Sequence, residues 1–122
     1  MRIIISNSSD DPIYEQIRSQ IESAILSEEL KEGEALPSIR SLAQSLKISV
    51  ITTKRAYEEL EREGFIETVK GKGSFVSSQN KELLREMKIR NVEDYLLKAV
   101  GEGKSVGITL EDLKEMITLL YE

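Results

Sequence analysis

Apolar residues recur along this chain at two helical spacings separated by a short alternating stretch, and the elements follow from that change of period. Tyr14, Ile17, Ile21, Ala24 and Ile25 form one stripe, with Asp11 as N-cap and Pro12 at the first helical position, so a helix is expected to end by about Leu30. Gly33 then sits in the turn that leads to Leu36. Ser38 is a good N-cap for a short helix whose apolar side is Leu42, Ala43 and Leu46. Lys47, Ile48 and Ser49 leave room only for a tight turn, after which Ser49 caps a second helix with Thr53, Ala56, Tyr57 and Leu60 on its buried face. Gly64 closes it as a left-handed C′ residue.

Beyond Gly64 the period falls to two. Phe65 to Val69 reads as a strand, Lys70-Gly71-Lys72-Gly73 as a turn, and Ser74 to Ser77 as the returning strand. Helix, tight turn, helix and basic hairpin together outline a winged helix-turn-helix. So short a turn makes the two helices cross steeply and leaves the first turn of the second one projecting. In DNA-binding versions that turn enters the major groove. Its groove-facing candidates are Ser49, Val50, Ile51, Thr52, Lys54 and Arg55.

From Gln79 the pattern is helical again. Leu83, Leu84 and Met87, then Ile89, Val92, Leu96, Ala99 and Val100, make a stripe whose phase slips near Lys88, which predicts a bend or break there. Gly101 and Gly103 are expected to stop this helix. Thr109 with Asp112 makes a capping box for a last helix carrying Leu110, Leu113, Met116, Ile117 and Leu120 on one side. At the other end of the chain, Arg2 to Ile5 reads as a short edge strand and Ser6 to Asp10 as a polar connector.

The segment LPSIRSLAQSLKISVITTKRAYEELEREGFIETVKGKGSFV resembles the DNA-binding domain of the GntR family of bacterial transcription regulators. The likeness rests on Leu36-Pro37-Ser38-x-Arg40, the Leu42-Ala43 pair, Ala56-Tyr57 followed by Leu60 and Gly64, and the Gly71-Lys72-Gly73-Ser74-Phe75-Val76 wing. With the preceding helix it covers roughly residues 11–77, and the short tail is similar to the YtrA-like subfamily. The resemblance implies a DNA-contacting arginine at Arg40 and a basic contact at Lys54. Arg40 has a plainer alternative, pairing with Glu58 at the surface, and Arg55 is expected to pair with Glu59 one turn on. Val50 and Ile51 depart from the family, whose other branches often carry arginine and threonine there, or asparagine and proline in YtrA-like proteins.

The net charge of −5 at first argues against a polyanionic partner, but its distribution answers part of that objection. Residues 1–35 hold 3 basic and 8 acidic side chains, residues 36–76 hold 7 and 5, and residues 77–122 hold 7 and 9, so the one positive segment is the winged stretch. Lys70, Gly71 and Lys72 at the hairpin tip are read as a phosphate contact, against the alternative that they keep the hairpin soluble.

With no cysteine and no histidine, disulfides, thiolate metal sites and the usual general base are excluded. No pair of carboxylates or nucleophile with base stands out, so an enzyme is not expected. Gly103-Lys104-Ser105 resembles the end of a phosphate-binding loop, but Lys98 stands where its leading glycine belongs, and it reads as a helix-ending loop. Asn7-Ser8-Ser9 fits a glycosylation acceptor only by pattern. Neither a signal peptide nor a membrane-length apolar run is present, so cytoplasmic residence is expected.

The expected architecture is mainly α with a small β-hairpin: a winged helix-turn-helix over residues 1–77 and a C-terminal helical pair over 78–122. Ser38, Arg40, Ser49, Val50, Ile51, Thr52, Lys54, Lys70, Gly71 and Lys72 are the candidate DNA-binding residues. Val92, Leu96, Val100, Leu113, Ile117 and Leu120 need a cover, and a second copy is expected to provide it as the dimer interface of a homodimer matched to a palindromic operator, against the alternative that these helices fold back on the winged domain. The expected partner is double-stranded operator DNA, the expected action repression, with no cofactor, no metal and no membrane. Larger branches of the family carry a metabolite-binding or aminotransferase-like domain that does not fit into residues 78–122, so an effector would use a small pocket at the helical pair or the dimer interface. The competing class is a protein-interaction module built on the same winged fold.

Overall fold

Pro12 sets where the first helix begins. Its extended ψ of 154° keeps it outside the helix as N-cap, its carbonyl accepts from the Glu15 and Gln16 amides, and α1 spans Ile13–Leu26. Asp11 is therefore not the side-chain cap the sequence suggests; its carbonyl instead accepts from the Gln16 side-chain amide at 3.0 Å. The computed structural model describes residues 1–78 and 81–122, with the side chains of Lys81 and Leu83 left aside. Gln79 and the Leu83 side chain, both invoked for the tail helix, lie outside the described residues.

After α1 the chain reverses through Glu28 in left-handed backbone, and the Leu30 amide donates back to the Ala24 carbonyl, so Leu30 caps the core from outside the helix. Helix α2 (Ile39–Leu46) starts at Ser38, whose hydroxyl accepts from the Ser41 amide at 3.0 Å. Lys47 takes the left-handed conformation at φ 59°, and α3 (Val50–Arg62) follows under the Ser49 cap. Gly64, at φ 85°, ends α3 and turns the chain into β1 (Ile66–Val69), which pairs antiparallel with β2 (Gly73–Val76), Ile66 opposite Val76. Both strands begin one residue from the expected positions.

The hairpin is not alone. Ala35 bridges to Phe75, and the Leu36 amide donates to the Ser74 carbonyl, so the segment before α2 covers the outer edge of β2. Arg2 to Ile5 forms no strand. Paired bonds from side-chain amides stand in for a neighbouring strand: Gln20 with the backbone of Ile4, at 2.9 and 2.7 Å, and Gln16 with that of Ser6, at 2.8 and 3.0 Å. With α1 holding the segment this way, Ile3 and Ile5 pack against the core without a sheet to join.

That core gathers Ile17, Ile21 and Ile25 of α1, Leu42 of α2, Ala56, Tyr57 and Leu60 of α3, and Phe65, Ile66 and Val76 of the hairpin. Arg18 ties α1 to the end of α3, reaching Glu15 at 2.7 Å and both Glu22 and Glu63 at 3.1 Å. Hydrogen bonding to Glu15, with the added charge of Glu22 and Glu63, holds its guanidinium protonated.

By backbone contacts the chain divides into two units, Met1–Leu84 and Arg85–Glu122. Helix α4 (Lys81–Ser105) runs unbroken past Lys88, so the shift in apolar phase does not mark a break. Nor do Gly101 and Gly103 end it. The stop is Gly107, at φ 77°, where the Ile108 amide donates to the Gly103 carbonyl at 2.9 Å. Gly103-Lys104-Ser105 is thus the last turn of the helix. A β-carbon built on Gly103 would stand 3.5 Å from Ile108 and 3.7 Å from Leu113, so this glycine sits where the start of α5 (Leu110–Tyr121) packs. Glycine costs a helix about 1 kcal/mol, which packing of that kind offsets. Thr109 and Asp112 exchange both bonds of the expected capping box, each 3.1 Å, and those bonds hold the Asp112 carboxyl below its usual range. Among the described residues no helix is long and apolar enough to cross a membrane.

Candidate nucleic-acid interface

Ser49 builds the tip of α3. Its hydroxyl accepts from the Thr52 amide at 3.1 Å and meets the Thr52 hydroxyl at 2.7 Å, while the Thr53 hydroxyl donates to the Ser49 carbonyl at 3.2 Å. Thr53 is fully buried, so it fixes the helix start to the core. Val50 and Ile51 are left at the surface, 49% and 80% exposed, and Lys54 is exposed one turn further on.

The attitude of this helix is set from behind. Ala56, Tyr57 and Leu60 are buried, and the Tyr57 hydroxyl donates to the Pro37 carbonyl at 2.7 Å. That bond joins α3 to the residue just before the Ser38 cap, and so to the start of α2, which carries Arg40. Burial pushes the Tyr57 hydroxyl up to about 12, keeping it protonated as a donor. Tyr57 and Phe65 are core residues, as their positions on the apolar faces indicate.

Arg40 is exposed in the first turn of α2, and among the described residues no ion pair joins it to Glu58. Arg55 does not pair with Glu59 either, because Glu59 is held by Arg62 at 2.7 Å. The Arg55 guanidinium lies instead over the ring of Tyr14 on α1, 3.8 Å from its centre. Spacing within α3 could not reveal this, since the two residues meet only when α1 and α3 pack; the one sequence signal is an aromatic at the very start of α1.

At the wing, Lys70, Gly71 and Lys72 form the loop of the hairpin, closed by the Lys72 amide to the Val69 carbonyl at 2.9 Å. Gly71 and Gly73 have φ of 80° and 107°, which side chains with a β-carbon rarely adopt. Both lysines are exposed. Ser38 and Ser49 spend their hydroxyls on capping, so each adds to the surface chiefly the start of a helix, where backbone N–H groups and the helix dipole favour an anion. Among the described residues no group of acidic side chains is arranged to hold a metal ion.

In the second unit, Leu96, Ala99 and Val100 of α4 and Leu110, Leu113, Ile117 and Leu120 of α5 line an apolar groove of about 220 Å³. Of the six residues expected to need a cover, five bound this groove. Val92 lies outside its lining and is half-exposed.

Residues 13–76 match the family of bacterial regulatory proteins named gntR. The HTH-type transcriptional repressor YtrA of Bacillus subtilis is 39% identical over 115 residues, which is 94% of this chain and 88% of that protein. A transcriptional antiterminator from Listeria monocytogenes is similar in structure at a TM-score of 0.77 and 31% identity, covering 100% of this chain and 91% of that one. The DNA-binding domain of AraR, solved in complex with operator ORX1, is similar in fold, with a TM-score of 0.56 and 24% identity over 63% of this chain and 96% of that one.

Proposed function

This chain belongs to the GntR family of bacterial regulatory proteins, is YtrA-like within it, and is a DNA-binding transcription regulator; we propose that it acts as a homodimeric repressor occupying a palindromic operator. The observation that carries the reading is the α3 tip, capped by Ser49 and held from behind by Tyr57, with exposed Lys54 beyond it and the lysine-bearing wing following in the chain. Val50, Ile51, Thr52 and Lys54 face the major groove. Arg40 reaches a base edge or a phosphate from the start of α2, where the Ser38 cap leaves backbone amides pointing outward. Lys70, Gly71 and Lys72 take the phosphate backbone.

The C-terminal unit supplies the second half of the proposal. Burying one leucine-sized side chain is worth roughly 1.5 to 3 kcal/mol, so the groove edge formed by Leu96, Val100, Leu113, Ile117 and Leu120 favours a cover of matching chemistry. A second copy provides it, with Val92 extending the contact along α4. Two heads held this way fit half-sites about one helical turn apart, roughly 10 base pairs. Any effector binds at this helical pair or at the dimer interface, and the protein works in the cytoplasm.

Selection of duplexes from a random-sequence pool by the purified chain tests the whole reading. Recovery of an inverted repeat, bound by a species that sediments as a dimer, is the expected result. Recovery of no preferred sequence would overturn the DNA reading. A monomer bound to a single half-site would overturn the dimer.

A further inference from the structure

The first turn of α3 presents an unusual surface for a reading head. Three of its hydroxyl groups are engaged inside the protein: Ser49 and Thr52 with each other at 2.7 Å, and Thr53 on the Ser49 carbonyl at 3.2 Å. The side chains left projecting there, Val50 and Ile51, neither donate nor accept a hydrogen bond. Ile51 is 80% exposed and contributes almost nothing to the core. The chain keeps two β-branched aliphatic residues side by side at the tip of a helix whose other exposed positions are largely charged, and packing gives no reason for them.

Base edges in the major groove offer one apolar group, the C5 methyl of thymine. A protein surface is the other occupant an apolar tip could have. Charge separates the two: residues 36–76 hold 7 basic and 5 acidic side chains, a positive balance where residues 1–35 and 77–122 are both net acidic, and Lys54 follows on the same helix. A polyanion suits that setting.

Resting on the DNA-binding reading above, we infer that Val50 and Ile51 form an apolar reading tip that selects thymine through its C5 methyl group in the major groove. Arg40 and Lys54 supply hydrogen bonds and charge around it, while the tip itself distinguishes bases by shape and hydration. Removing a methyl from water against Ile51 favours thymine over an unmethylated pyrimidine by about fourfold per contact.

The probe is the tightest duplex selected from a random-sequence pool, made again with 2′-deoxyuridine replacing thymine, which deletes only the methyl. The wild-type chain should bind the uracil duplex about fourfold more weakly per contacted methyl, and Ile51→Ala should bind the two duplexes nearly alike. Ile51 is outside the core, so the variant keeps its fold, and Val50→Ala serves as a second arm. Equal affinity of the wild type for both duplexes would overturn the inference while leaving DNA binding intact. An equal loss in wild type and both variants would assign the effect to DNA flexibility and overturn it as well. Failure to bind any duplex, with capture of a protein through the same two residues, would overturn both this inference and the reading it rests on.

Discussion

The guanidinium carbon of Arg55 lies 3.8 Å from the centre of the Tyr14 ring, which joins α3 to α1 through a cation–π contact. A double-mutant cycle with Tyr14→Leu and Arg55→Met isolates that contact. Because Arg55 is at the surface, the coupling should be about 0.5 to 1 kcal/mol in chemical denaturation. Additive effects would mean that the stack contributes nothing.

Tyr57 and Pro37 make a second link, and pH exposes it. The Tyr57 hydroxyl titrates at about 12 in the folded protein against an ordinary 10.0, so the folded state keeps a proton that the unfolded chain releases. Its stabilising effect is complete below pH 10 and is lost as pH rises towards 12. Tyr57→Phe should cost roughly 1 to 3 kcal/mol near neutrality, since the Pro37 carbonyl loses its donor. The variant's stability should also fall less than the wild type's between pH 10 and 12. Parallel curves through that window would refute the assignment.

At the wing, Lys70→Ala with Lys72→Ala should weaken binding to all duplexes alike. For each phosphate no longer neutralised, the log-log salt slope should fall by about 0.9. An unchanged slope would remove the wing from the interface. Arg40→Ala should behave differently if Arg40 reads a base edge, costing on the order of 1 to 3 kcal/mol on the selected duplex and little on a scrambled one.

In the tail, Leu96→Glu or Ile117→Glu would place a charge in the apolar groove. The dimer should dissociate, and affinity for the full palindrome should fall far more than affinity for one half-site. Sedimentation of the wild type as a monomer at micromolar concentration would sink the dimer reading, because the helices would then need no second copy.

The two glycines of α4 should respond in opposite ways. Gly101 has open space where a β-carbon would stand, so Gly101→Ala should stabilise the unit by up to about 1 kcal/mol. At Gly103 the added β-carbon already touches Ile108 and Leu113, and the branches of valine would overlap them. Loss of helicity in Gly103→Val with a gain in Gly101→Ala is the expected pair of melting curves. Equal gains would mean that α5 does not rest on Gly103.

Local chemistry makes several elements legible from the order of residues alone. Ser38, Ser49 and Thr109 cap helices because their hydroxyls reach backbone amides three residues ahead, a reach set by the chain itself. The buried sets on α1 and α3 can be read for the same reason, since a face with 3.6-residue spacing has one way to turn towards a core. Gly64 announces the left-handed end of α3, which its φ of 85° bears out, and Lys70-Gly71-Lys72-Gly73 marks the hairpin turn.

Other features are tertiary by nature. Arg2 to Ile5 has the composition of a strand, but the partners that meet it are the side-chain amides of Gln16 and Gln20, and no local pattern predicts a glutamine in place of a β-strand. Gly101 and Gly103 look like a helix stop because glycine lowers helix propensity; the packing of Ile108 and Leu113 against the last turn of α4 moves the stop to Gly107. Arg55 has Glu59 within reach along its own helix, yet it sits on Tyr14 because α1 and α3 pack together and Glu59 is held by Arg62. Capping and periodicity are properties of a few consecutive residues, so the amino-acid order suffices to say which segments are helices and which faces are apolar. Which side chains meet across those faces depends on all the elements packing at once, and it is settled only in the folded chain.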